Sequence, residues 1–188
     1  MAAVIFMAVL LAIFITLLYC CLIAASNADD RMDEIWEERV MTDGTPVPAP
    51  AETWTRYDVD LDDDLQKYIG QICRKYEVST ALVMAVIEIE SGCDPACVGD
   101  GGHSYGLMQI YLDCHRDRCI RLNAYNLFDP RQNVLVGVDF LAELLSYGHG
   151  EEWALSWYNG LGGDPGEYTY KVMTEAERLL ESSQQVTA

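Results

Sequence analysis

Basic residues are scarce in this chain: 12 Lys and Arg stand against 30 Asp and Glu, a formal net charge of -18 over 188 residues. A sequence-independent nucleic-acid binder needs a basic stripe to displace counterions from phosphates, so nucleic acid is excluded as a partner. Attachment to anionic lipid through a polybasic patch is excluded on the same ground. Proline is also sparse, and half of the six residues (Pro46, Pro48, Pro50) crowd into one short stretch. No segment alternates convincingly between apolar and polar residues, so strands are not expected, and no internal repeat is present. Charge is absent altogether from residues 1–28.

That uncharged leader reads AAVIFMAVLLAIFITLLYCCLIAASNA from Ala2 to Ala28. It exceeds the roughly 20 apolar residues that a bilayer-spanning helix requires. It also exceeds the apolar region of a secretory signal, which favours an uncleaved transmembrane anchor, with cleavage after Ala28 as the alternative. The segment that follows, DDRMDEIWEER, lacks the basic excess of a cytoplasmic flank, which places the rest of the chain outside the cell. Residues 29–61 form an acidic, proline-containing spacer. Proline there forbids helix and gives a semi-rigid tether. The run DVDLDDDL resembles a calcium loop only superficially, because Asp63 and Ile69 stand where Gly and Glu are needed. Residues 62–188 make the single folded domain.

Within that domain, Leu65, Tyr68, Ile69, Ile72, Cys73 and Tyr76 trace one face of a helix. Ser79 caps a second helix, TALVMAVIEIE, which is apolar on nearly every face and is therefore the central buried one. Asp129-Pro130 with Gln132 starts a third, which Gly148 closes. EEWALSWY and a segment beginning near Tyr168 complete an all-α, mainly helical fold.

Glu90 ends the buried helix, where both burial and the negative end of the helix dipole disfavour a carboxylate. Such an acid stays protonated near neutral pH and serves in proton transfer. Glu88 lies about 200° round the helix and cannot share its site. A solvent-facing Glu90 is the bland alternative.

Several short motifs now fall in order: Ile89-Glu90-Ser91-Gly92, Asp94-Pro95-Ala96, Tyr105-Gly106-Leu107-Met108-Gln109-Ile110, Trp157-Tyr158-Asn159-Gly160, and Tyr168 before Lys171-Val172. Each is weak alone, but in this order and spacing they resemble the soluble lytic transglycosylase family, with its lysozyme-like fold, over residues 65–175. The resemblance implies an enzyme of peptidoglycan glycan strands with no cofactor and no metal. It makes Glu90 the single general acid and base. Glu90 would protonate the bond between N-acetylmuramic acid and N-acetylglucosamine, then draw the C6 hydroxyl onto C1 to give a 1,6-anhydro end. Tyr168 is implied to approach Glu90. Ser104, Gly106, Met108, Gln109, Tyr158 and Asn159 are implied to line the saccharide groove. For Met108 and Tyr158, plain core packing is the rival. Two alternatives remain open: a muramidase of the same fold recruiting Asp113, Asp117 or Asp129 to activate water, and a non-catalytic glycan-binding module of a secretion, conjugation or phage apparatus.

Cys93, Cys97, Cys114 and Cys119 cluster in sequence after Glu90. In an external domain they are disulfide candidates with three alternative pairings, while Cys73 sits on a helical apolar stripe as a free thiol. Zinc held with His103 or His115 is the rival reading.

Overall fold

A computed structural model describes residues 53–160, 162–163 and 165–187. The expected membrane span over residues 1–28 and most of the spacer lie outside the described residues. Among those described, no helix is long and apolar enough to cross a membrane.

The folded unit already includes Thr53. Strand β1 (Thr53–Arg56) pairs antiparallel with β5 (Gln184–Thr187), Thr53 opposite Thr187 and Arg56 opposite Gln184. Trp54 and Tyr57 are buried. The buried amide of Gln66 clamps the following segment: Tyr57 N donates to its Oε1 at 2.9 Å, and its Nε2 donates to the Leu61 carbonyl at 3.0 Å. Residues 53–61, assigned from sequence to the spacer, thus pack onto the domain.

Six helices follow among the described residues: α1 (Asp63–Tyr76), α2 (Thr80–Ser91), α3 (Leu112–Arg121), α4 (Pro130–Ser146), α5 (Glu151–Tyr158) and α6 (Glu167–Ser182). Side-chain caps start three of them. Asp62 accepts from Leu65 N at 2.8 Å, Ser79 from Leu82 N at 3.3 Å, and Asp129 from Gln132 N at 2.9 Å. Each takes up a backbone donor that the first helical turn leaves free. Gly92, with φ 60°, ends α2 in the left-handed conformation that suits glycine there.

Helix α2 is the hub. Every residue from Ala81 to Ile87 is buried, as its all-round apolarity predicts. It packs most extensively on α6, while α4 packs on α1 and α5. Helix α3 was not foreseen. Its sequence, LDCHRDRCIR, has no apolar stripe; it is fastened to α4 by ions instead. Arg118 and Arg121 both pair with Asp139, and Arg118 reaches Glu143 at 2.5 Å. Burial opposes ionisation of Asp139, but the hydrogen bonds from Arg121 and Arg118 outweigh it and hold the carboxyl below its usual range.

A three-stranded antiparallel sheet, also not foreseen, fills the loop after α2: β2 (Val98–Gly99), β3 (Ser104–Tyr105) and β4 (Ile110–Tyr111). Two-residue strands are too short to show alternation. The turn between β2 and β3 carries Asp100 at φ 47° and Gly101 and Gly102 at φ 66° and 100°.

Candidate active site

The buried Asn133 at the start of α4 sets the turn that joins β3 to β4. Its Oδ1 accepts from Met108 N at 2.8 Å. Its Nδ2 donates to the carbonyls of Tyr105 and Leu127 at 2.7 and 2.9 Å. One amide thereby satisfies three backbone groups that would otherwise be buried unpaired. Gly106 (φ 73°) fits closely against this arrangement: a Cβ there would collide with the Leu127 carbonyl and Asn133. The space a side chain would fill there is taken by protein. Met108 is fully buried, with its thioether against Gly137, so the core-packing reading holds for it. Ser91 Oγ ties the end of α2 to the same turn by donating to the Leu107 carbonyl at 2.9 Å.

Above the turn lies a groove of about 810 Å3. It brings together Glu90, Ser104, Gln109, Tyr158 and Asn159 from the expected set. It adds Asp100, Tyr111, Cys114, His115, Phe140 and Trp157, which sequence reasoning missed. Most of these missed residues sit on the unforeseen strands and α3, or are aromatics indistinguishable in sequence from core. An apolar hollow of about 460 Å3, lined by Leu112, Ile120 and Phe128, opens on the other side of α3 and contains no carboxylate.

Glu90 is partly buried at the groove. Tyr168 Oη donates to Glu90 Oε1 at 2.6 Å, bringing the two expected catalytic residues together across 78 positions of sequence. Burial pushes the Glu90 carboxyl up to about 7; the Tyr168 hydrogen bond works against this and the charge of Asp100 adds to it. The Tyr168 phenol is pushed far above its ordinary value, by burial first and by the adjacent Glu90 second, so it stays a donor. Glu88 points elsewhere, pairing with Arg178 at 3.3 Å, as the helical geometry requires.

The other side chains take specific places. Tyr158 Oη donates to the Met108 carbonyl at 2.8 Å, bracing α5 against the turn. Its ring lies 5.3 Å from Phe140, and Phe140 lies 4.4 Å from His115. Burial lowers the His115 pKa, as does the nearby Arg118 charge. Gln109, at φ 45°, donates from Nε2 to the Gly106 and Cys97 carbonyls at 2.9 and 3.2 Å. Asn159 is exposed at the end of α5. Ser104 is 1% exposed, and its hydroxyl donates to Asp100 Oδ2 at 2.5 Å.

The cysteines depart from expectation. Cys73, Cys93, Cys97, Cys114 and Cys119 are all free thiols. Cys93 is buried near Asp60, Cys119 is buried beside the apolar hollow, and Cys114 is exposed in the groove. Among the described residues no two cysteines are joined, so the expected disulfides are not supported. Among the described residues, no three His, Cys, Asp or Glu side chains converge as a zinc site requires. Asp129 is committed to capping α4, and Asp113 pairs with His103 and Arg116 at 3.4 Å each. Asp113, Asp117 and Asp129 all lie outside the groove lining.

A shielded carboxyl raised to about 7, held by a phenol donor at the wall of a groove, is equipped to give and take back a proton. The chain is 33% identical over 94 residues to membrane-bound lytic murein transglycosylase C of Salmonella arizonae, covering 45% of this chain and 26% of that protein. The proteins of that name from Salmonella typhi and Cronobacter sakazakii match with the same figures. The alignment thus spans about a quarter of the length of these relatives. The family model for the transglycosylase SLT domain matches residues 67–179, most of the folded unit and more than half of the chain, and the protein belongs to that family.

Proposed function

We propose that this chain is a peptidoglycan lytic transglycosylase that cleaves the β-1,4 bond between N-acetylmuramic acid and N-acetylglucosamine. The carrying observation is the Glu90–Tyr168 pair: a carboxyl raised to about 7, held by a phenol donor at 2.6 Å, at the wall of a groove. Near neutral pH a large fraction of Glu90 carries its proton. It gives that proton to the glycosidic oxygen as the C1–O bond breaks. The resulting carboxylate then takes the proton of the C6 hydroxyl as that oxygen closes on C1. The proton returns to Glu90, so one carboxyl serves both steps. Tyr168 keeps the carboxyl oriented through both.

Gln109, Tyr158 and Asn159 shape the groove for the acetylated sugars. Tyr158 acts through the backbone it braces. Trp157, 44% exposed, offers an aromatic face to a pyranose ring. The intact acid–donor pair favours an enzyme over a non-catalytic glycan-binding module. We place the domain outside the cell, tethered through residues 1–28, within reach of the wall. Service to a secretion, conjugation or phage machine would use the same site.

The test is digestion of purified peptidoglycan and weighing of the products. Anhydro ends are the expected outcome, and cleavage by a Glu90→Gln variant at the wild-type rate would refute the mechanism.

A further inference from the structure

We propose that the clustered rings of Trp157, Trp153, Tyr147 and His149 form a saccharide-binding platform outside the groove, which holds sugar units of the glycan strand beyond the bond being cleaved. This rests on the reading of the groove as a glycan site. Trp157 lines the groove and is the first ring of the row. Trp153 precedes it by one helical turn on α5, so the two indoles share a face. Their centroids lie 5.7 Å apart. Trp153 in turn meets Tyr147 edge to face at 5.8 Å and His149 at 4.7 Å. Trp153, Tyr147 and His149 are not part of the groove lining, so the row leads out of the groove.

The backbone fixes the rings from two sides. Tyr147 follows α4, and Gly148 (φ 76°) and Gly150 (φ 89°) flank His149 in the turn to α5. These left-handed positions bend the chain so that both rings come onto Trp153. The backbone of Gly163 lies against the nitrogen edges of both indoles. A Cβ there would stand 2.8 Å from Trp157 Nε1 and 3.0 Å from Trp153 Nε1. Clustering leaves the outer rings wet: Trp157 is 44% exposed and Tyr147 57%, and His149 is exposed as well. Trp153 is half-buried and backs them. A contiguous aromatic surface that stays in water after its rings have packed on one another marks an interaction site.

The occupant is a neutral sugar chain. A pyranose turns its C–H face to an aromatic ring and its hydroxyls to water, which suits rings backed by protein on one side and wet on the other. Ring-to-ring steps of 5.7 and 5.8 Å are on the scale of one sugar unit in a β-1,4-linked chain. Glu151 and Glu152, exposed at the start of α5, repel an anionic peptide or lipid, as does the net charge of -18. Continuity through Trp157 selects the glycan strand itself, because units leaving the groove on that side meet the platform next. A strand that fills the groove makes the second contact intramolecularly, so long strands gain affinity that short ones lack.

Calorimetric titration of the full chain with β-1,4-linked N-acetylglucosamine trimer and hexamer tests this, beside digestion of purified peptidoglycan. Wild type should bind the hexamer more tightly than the trimer. Tyr147→Ala should weaken hexamer binding by about three- to tenfold, the scale of one aromatic stacking contact, and leave trimer binding unchanged. Tyr147→Phe keeps the ring and should bind both oligomers as wild type does. Hexamer affinity untouched by Tyr147→Ala would overturn the proposal. So would an equal loss for trimer and hexamer, which would make the ring part of the scaffold. Self-association that Tyr147→Ala abolishes, with hexamer affinity unchanged, would give the surface to a second copy of the chain and overturn it too. Anhydro ends from peptidoglycan without any difference between trimer and hexamer would sink the platform and leave the transglycosylase reading standing. Neither cleavage nor oligomer binding by wild type would overturn both.

Discussion

Glu90→Gln is expected to make the protein more stable as well as inactive, and the gain should depend on pH. Burial raises the Glu90 carboxyl from 4.5 to about 7. A group with a raised folded-state value holds its proton in the fold after the unfolded chain has released it. Below about pH 4.5 both states are protonated and Glu90 contributes no penalty. As pH rises through the window, stability falls, and above about pH 7 the whole penalty is present. A rise of this size corresponds to about 3 kcal/mol. Because Glu90 is partly open to groove water, about 1–2 kcal/mol is the realistic figure. Glutamine has the same shape, cannot ionise, and still accepts from Tyr168 through its oxygen. Urea unfolding of the wild-type and Glu90→Gln full chains at about pH 4 and about pH 8 measures the effect. The two should match at the lower pH, and the variant should lead by about 1–2 kcal/mol at the higher. Equal stability at the higher pH, or a difference that ignores pH, would refute the buried-acid argument.

Further outcomes follow from the same geometry. Tyr168→Phe removes the hydrogen bond that lowers the Glu90 pKa, so the alkaline limb of the cleavage rate should move to higher pH while the rate falls by about 10- to 100-fold; an unmoved limb would remove Tyr168 from the site. Thr169 is buried with its hydroxyl unpartnered among the described residues, so Thr169→Val should raise unfolding stability by about 1 kcal/mol, and a loss would contradict this. Alkylation without reductant should label Cys114 first. Cys73, whose thiol burial pushes up to about 12, should react only after unfolding. A mass deficit of paired hydrogens in the unreduced chain would restore the disulfide reading.

Much of the fold was legible because it rests on local chemistry. Ser79 and Asp129 announce their helices through cap bonds, and the run from Ala81 to Ile87 announces burial through apolarity alone. What was hidden rests on distant partners. Helix α3 is polar in sequence and depends on Asp139 and Glu143, about two dozen positions away. The pairing of β1 with β5 joins the two ends of the folded unit, which no local window sees.

The site divides in the same way. Glu90 stood out as an acid ending an apolar helix, and the resemblance brought Tyr168 to it. Met108 and Gly106 belong to the same motif, yet they serve the scaffold beneath the groove. Asn133 was invisible because a polar residue within an apolar stripe reads as an exception until its three backbone partners are seen. Asp100 gave one faint signal, an acid between glycines shortly before Ser104. Only the fold shows that Ser104 is turned toward it.

The central claim is that Glu90 cleaves a peptidoglycan glycosidic bond by acting as acid and then base. Mass analysis of purified peptidoglycan treated with the wild-type and Glu90→Gln full chains, with the fold verified for both, tests it most directly. The account predicts 1,6-anhydro ends from wild type and a loss of at least about 100-fold in the variant. Undiminished release by Glu90→Gln, or wild-type products with no anhydro ends, would contradict it.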